Sequence, residues 1–166
     1  MGRKIAGLVL VLFCITGIVS FSAFALHFEN YQWGMTKQEI RRKIESKGVS
    51  LPSEIAGALV YNEMIVGQSC KVTLKFTPDS KLLYQVELKW SGTGAGQKMK
   101  QILSEKYGPP YAAGDLYKKY FWYQGSDVLT LNYSTMNTTL TYASGSIEKK
   151  RNAEDRATGK TDSDKF

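Results

Sequence analysis

The chain is short of the residues that most enzymes rely on: it has one histidine and two cysteines in 166 residues. Nucleophilic catalysis of the Ser–His or Cys–His kind needs a positioned histidine. The single candidate, His27, would stand second in a processed chain, where ends fray. Cys14 lies inside the apolar opening run, which leaves Cys70 without an internal disulfide partner. One histidine and one cysteine cannot assemble a His/Cys metal-ligand cluster. Nor is there a complete phosphate-cradling motif. "SGTGAGQK" (Ser91 to Lys98) has Gln97-Lys98-Met99 after Gly96, where a Walker loop needs Gly-Lys-Ser/Thr. Its alternating Gly92, Gly94 and Gly96 read as a flexible strand-to-helix connection, with no more than weak anion affinity at the helix start. The expectation is a protein without cofactor or metal, and not an enzyme. Carboxylate-pair hydrolysis stays open, because pairing is set by the fold: Glu63 with Glu87, or Asp115 with Asp127, could be neighbours.

What is present begins with a leader. After MGRK the chain runs from Ile5 to Leu26 without a charge and passes through Ala23-Phe24-Ala25. This small-x-small ending reads as a secretory signal peptide over 1–25, cut after Ala25, with a periplasmic or secreted product. An uncleaved N-terminal membrane anchor is the alternative, since the run is long enough to span a bilayer. Ser20, Ser22, Ala23 and Ala25 weight the reading toward cleavage. Cys14 is no lipidation site, because Leu12-Phe13 precede it where small residues are wanted. Cleavage leaves 141 residues, enough for one domain over 26–144, with 20 basic against 15 acidic residues. Export makes nucleic acid an unexpected partner, and the basic residues of the first helix are interspersed with Glu39 and Glu45. Weak contact with anionic lipid or glycan stays open.

"YQWGMTKQEIRRKIESKG" (Tyr31 to Gly48) carries a dense helix-start signal. Thr36 is the N-cap and Glu39 stands at N3, the capping box; Met35 and Ile40 form the hydrophobic staple, and Gly48 ends the helix. Only Ile40 and Ile44 are apolar within it, so this narrow stripe must dock on a broad apolar surface. Cys70, Val72, Leu74 and Phe76 alternate with polar residues, and after the turn Pro78 to Lys81 so do Leu82, Tyr84, Val86, Leu88 and Trp90. This is an antiparallel hairpin with one buried and one wet face, and Cys70 is expected on the buried side. Ala58 to Val66 reads as a preceding strand. A second round follows: a helix from Ala95 to Tyr107 with Met99, Ile102 and Leu103 at helical spacing, then strands at Leu116 to Gln124, Val128 to Tyr133 and Thr138 to Ala143. The expected fold is α+β, a two-layer sandwich with two helices on one face of a six-stranded antiparallel sheet. Its αβββ order over 33–90 and again over 94–143 is a candidate tandem repeat. Residues 145–166 have little apolar content and read as a polar flexible tail, with a frayed helix near Ile147 to Ala157.

The run "DLYKKYFWYQGSD" puts aromatics on both sides of one strand: Leu116, Tyr120 and Trp122 on one, Tyr117, Phe121 and Tyr123 on the other. With one sheet face open, one set is expected to be exposed, and exposed Tyr and Trp are common anchors of protein interfaces. Lys118 and Gln124 weight the Tyr120/Trp122 side as the open one.

Trp33-Gly34-Met35-Thr36-x-x-Glu39-Ile40, the later Tyr107-Gly108-x-Pro110, and the Trp122 strand followed by Leu129-x-Leu131-x-Tyr133 resemble small bacterial envelope proteins. These are the β-lactamase-inhibitory-protein-like group and the SmpA/OmlA outer-membrane lipoproteins. The resemblance implies a secreted αβ repeat that binds other proteins through an open aromatic sheet surface, without a cofactor. This chain has neither the cysteine pairs of the former nor the lipidation cysteine of the latter. The expected function is an exported protein-binding or inhibitory module whose partner is another envelope or secreted protein. An envelope hydrolase with a carboxylate pair, or a structural subunit of an envelope assembly, is the alternative.

Overall fold

The computed structural model describes residues 28, 31–50, 52–92, 94–113 and 118–159. The leader, His27, Asp115, Leu116, Tyr117 and the last seven residues lie outside these. Eight strands and three helices follow in the order α1 (Lys37–Ser46), β1 (Ser53–Ile55), β2 (Ala58–Ile65), β3 (Gln68–Phe76), β4 (Leu83–Ser91), α2 (Gly94–Tyr107), β5 (Tyr111–Ala113), β6 (Lys118–Gln124), β7 (Asp127–Tyr133), β8 (Asn137–Ala143) and α3 (Gly145–Ala157). All strands form one antiparallel sheet in the order β1-β2-β3-β4-β8-β7-β6-β5. Two meanders therefore meet along β4 and β8. The class is α+β, with eight strands where six are read from the sequence. β1 and β5 are three residues each, too short to show a period. Among the described residues, no helix is long and apolar enough to cross a membrane.

The alternation of each strand sorts its residues between two faces. Leu59 and Tyr61 on β2, Cys70, Val72 and Leu74 on β3, Val86, Leu88 and Trp90 on β4, Leu140 and Tyr142 on β8, Leu129 and Leu131 on β7, and Trp122 on β6 all join one core. Cross-strand partners confirm the shared side, with Val72 opposite Leu88, Leu88 opposite Leu140 and Leu140 opposite Leu131. Ile40 and Ile44 of α1 and Ala95, Met99 and Leu103 of α2 fill the same core, so this is the covered face. The α1 start forms as its caps dictate. Thr36 N–H donates to the Glu39 carboxylate at 2.8 Å, and Glu39 N–H donates to Thr36 Oγ1 at 3.3 Å. Backbone bonds from Gly34 N to Leu83 O and from Leu83 N to Met35 O tie this start to β4. Lys37 and Arg41 grip Glu54 of β1 at 2.7 and 3.3 Å.

Two details differ from the sequence pattern. The β3–β4 register shifts between Lys75 and Phe76, with Phe76 opposite Leu83 and Lys75 opposite Gln85. This bulge reverses the parity at Tyr84, so Leu83, not Leu82 or Tyr84, enters the core beside Val86. On α2, Ile102 is 38% exposed although it is spaced for the stripe. One glycine at the start of α2, Gly96, is a packing device. A Cβ on Gly96 would strike the Tyr133 ring, so α2 sits directly on β7 there.

Where the sequence reads as a frayed helix within a polar tail, a third helix, α3, runs from Gly145 to Ala157. α3 has no buried residue. Its holds are polar: the Glu154 carboxylate accepts from Asp79 N at 2.8 Å, from Ser80 N at 3.2 Å and from the Ser80 hydroxyl. Arg151 stacks 5.3 Å from the Tyr84 ring centre. Gly145 permits the join to β8, since a Cβ there would strike Ser126 O. Tyr84 lines a groove with Val60, Thr73 and Lys75 of the second face. So α3 shields one end of the face that α1 and α2 leave bare, and the helices are not all on one side.

Gly96→Ala is expected to destabilise by about 1–3 kcal/mol through the forced Tyr133 shift, which outweighs a helix-propensity gain of about 1 kcal/mol. Gly94→Ala meets only the flexible end of Gln68 and should change stability much less; urea midpoints of the two variants check this. The bonds from Asp79 and Ser80 hold the Glu154 carboxyl below its ordinary 4.5. Its contribution to α3 docking is therefore complete above that value and lost as pH falls through the lowered one. Amide exchange in α3 should rise over this range before the sheet opens, and Glu154→Gln should show fast exchange at neutral pH.

Candidate interaction surface

The uncovered face of the sheet is built from the outward half of every strand. Its registered rows run across the strands: Asn62, Lys71, Lys89, Thr139, Asn132 and Lys119 in one, and Val60, Thr73, Glu87, Thr141, Thr130, Phe121 and Tyr111 in the next. Hydroxyl, amide and lysine side chains dominate the middle. At the β5–β6 edge three aromatic rings gather: Tyr111, 70% exposed, meets Tyr123, 59% exposed, edge-on at 5.8 Å between centroids. Phe121 stacks on Tyr123 at 6.2 Å, and the Lys119 ammonium lies 5.0 Å from the Phe121 centroid.

The structure thus divides the aromatic strand in two. Phe121 and Tyr123 stand on the open face, while Tyr120 and Trp122 stand on the covered one, opposite to the weighting that Lys118 and Gln124 suggest. Trp122 is 3% exposed and its indole N–H donates to Gly108 O at 2.9 Å. Tyr120 is half-buried, stacked on Tyr133 at 5.8 Å with the Lys100 ammonium 4.3 Å from its centroid. Hydrogen bonding to Tyr133 and the nearby lysines lower the Tyr120 phenol, while burial pushes Tyr133 up to about 12. Lys118 and Gln124 misled because they cap the strand's two ends. Lys118 reaches over Tyr133, and Gln124 pairs with Asp127 beside the turn. Tyr117 lies outside the described residues. Tyr111 could not be read from the sequence, as it sits in a three-residue strand directly after Pro109-Pro110.

Two grooves cross the open face. One, of about 570 Å³, runs between the β1–β2 turn and α3 and is walled by Ile55, Val60, Lys75, Phe76, Tyr84 and Asp155 among others. The other, of about 580 Å³, lies at the far end of β3 and β4 over Lys71 and Lys89. Of the carboxylates that could have paired, Glu63 lies opposite Cys70 on the covered side and Glu87 lies opposite Thr73 on the open side. The sheet separates them, so they form no catalytic couple. Asp115 is outside the described residues. Among the described residues, no three of His, Cys, Asp and Glu gather at one place. Exposed rings, lysines and hydroxyls give this face the means to adhere.

Burial pushes the Cys70 thiol up to about 12. Thiol reagents at pH 8 should therefore label the native protein at the rate of global opening, and labelling should become immediate in denaturant; fast native labelling would contradict the buried assignment. No protein-family model, no curated protein and no solved structure matches the chain.

Proposed function

We propose that the chain is an exported protein-binding module, inhibitory or accessory, that uses the open sheet face and takes another envelope or secreted protein as its partner. The observation that carries this reading is the ring cluster of Tyr111, Phe121 and Tyr123 on the open face, in which both tyrosines are exposed. Aromatic side chains held rigid by strand pairing lose little conformational freedom on binding, and such rings concentrate binding energy. The resemblance of the Trp33-Gly34-Met35-Thr36 helix start to the β-lactamase-inhibitory-protein-like and SmpA/OmlA-like envelope proteins supports the same reading, as does the uncharged run from Ile5 to Leu26. In this proposal the helix-then-strands order, which occurs twice along the chain, is a tandem duplication. The two units then share one sheet and so present one continuous surface.

The test is affinity capture from an envelope extract with the full chain, one double variant and one single variant. Tyr111→Ala/Tyr123→Ala is expected to keep its melting temperature and lose the captured partner, with a loss of about 2 kcal/mol or more in affinity. Trp122→Ala should cost about 3–5 kcal/mol of stability, because it empties a core site and orphans Gly108 O. If the tyrosine variant captures the same proteins with equal affinity, the aromatic anchor is not the binding surface.

A further inference from the structure

The middle of the open face carries an unfavourable arrangement. Lys71 and Lys89 stand directly opposite one another on β3 and β4, both exposed. Like charges placed so in a sheet destabilise it. The described strands offer one carboxylate on this face, Glu87, and Lys75 holds it at 3.5 Å. Neither Lys71 nor Lys89 has an acid facing it, so the sheet keeps two ammonium groups side by side at the floor of a groove. The remaining lining is polar, with Asn62, Gln68, Ser69 and Ser91 around the lysine pair.

We infer that this groove binds an acidic polysaccharide, a linear sugar chain bearing carboxylate or sulfate groups. Charge complementarity fixes the sign of the occupant: two ammoniums without counter-charge call for an oxyanion. The neutral lining selects its class. Protein interface cores are depleted in Lys and Ser, whereas hydroxyl and amide side chains are the partners that sugar hydroxyls need. The same row continues through Thr139 and Asn132 to Lys119 beside the ring cluster, about 19 Å from Lys71 at the ordinary strand spacing. An extended chain crossing the strands would meet a cation at both ends and polar side chains between. The Lys71–Lys89 pair stands apart from the aromatic anchors of the protein-binding reading, and its test does not depend on them.

Fluorescence anisotropy with labelled oligogalacturonate, at low and high salt, tests it on the full chain. The wild type is expected to bind at low salt and to ignore uncharged dextran. Lys71→Gln/Lys89→Gln should weaken binding by about tenfold or more, while the equal charge loss in Arg42→Gln/Lys43→Gln on α1 should change it by less than about twofold. The Lys71→Gln/Lys89→Gln protein should melt no lower than wild type, since a repulsive pair is gone. Equal weakening in the two variants would reduce the effect to net charge and overturn the site. So would the absence of low-salt binding, a lower melting temperature of the β3–β4 variant, or equally tight binding of poly-L-glutamate at matched charge, which would assign the groove to an acidic protein.

Discussion

The ladder between β4 and β8 holds the sheet together. It pairs Gln85 through Ser91 with Ala143 through Asn137, and in the strand order it is where the first four strands meet the last four. Its inward pairs, Val86 with Tyr142 and Leu88 with Leu140, lie in the middle of the core. Every other strand pairing joins strands adjacent in sequence, whereas this one closes a loop of some fifty residues. Such non-local contacts carry the loop-closure cost and form late in folding. The two hairpin arrays can therefore form locally, but the continuous outer surface exists only once this seam has closed. A substitution that weakens the seam would remove the surface without touching any residue on it.

One-sided burial then determines what that surface is made of. α1 and α2 supply apolar stripes to one side, and the period of two sends the polar half of each strand to the other. α3 follows a different rule. It docks by a carboxylate on a turn and a guanidinium on a ring, and with no buried side chain it adds little hydrophobic stabilisation. Contacts of this kind fix orientation more than they add stability, and they place α3 as a wall of the groove near Tyr84 and Asp155.

Much of this was legible from the residues. The capping box of Thr36 and Glu39, the stripe of Ile40 and Ile44, and the alternation of Cys70 to Phe76 are local signals, and local signals survive folding. What escaped depends on partners distant in the chain. The bulge at Tyr84 was hidden because Leu82, Leu83 and Tyr84 are all apolar, so parity cannot be read through them. The strand holding Tyr120 through Tyr123 has rings on both sides, and only its register with β7 decides which pair meets α2. α3 reads from the sequence only as a frayed helix in a polar tail, because hydrophobic counting is blind to a helix held by Glu154 and Arg151. Tyr111 needed a neighbour on β6 before its strand had any meaning.

The sheet ends at either flank in a three-residue strand, β1 on one side and β5 on the other. An outermost strand with free amides and carbonyls is a template on which a second copy could extend the ladder. Here β1 and β5 themselves offer few such groups, and at β1 the approach also meets the Lys37–Arg41–Glu54 charge cluster. Brevity at the margins thus guards against fibrous growth, leaving the broad face, not the rim, as the place where association can safely be strong.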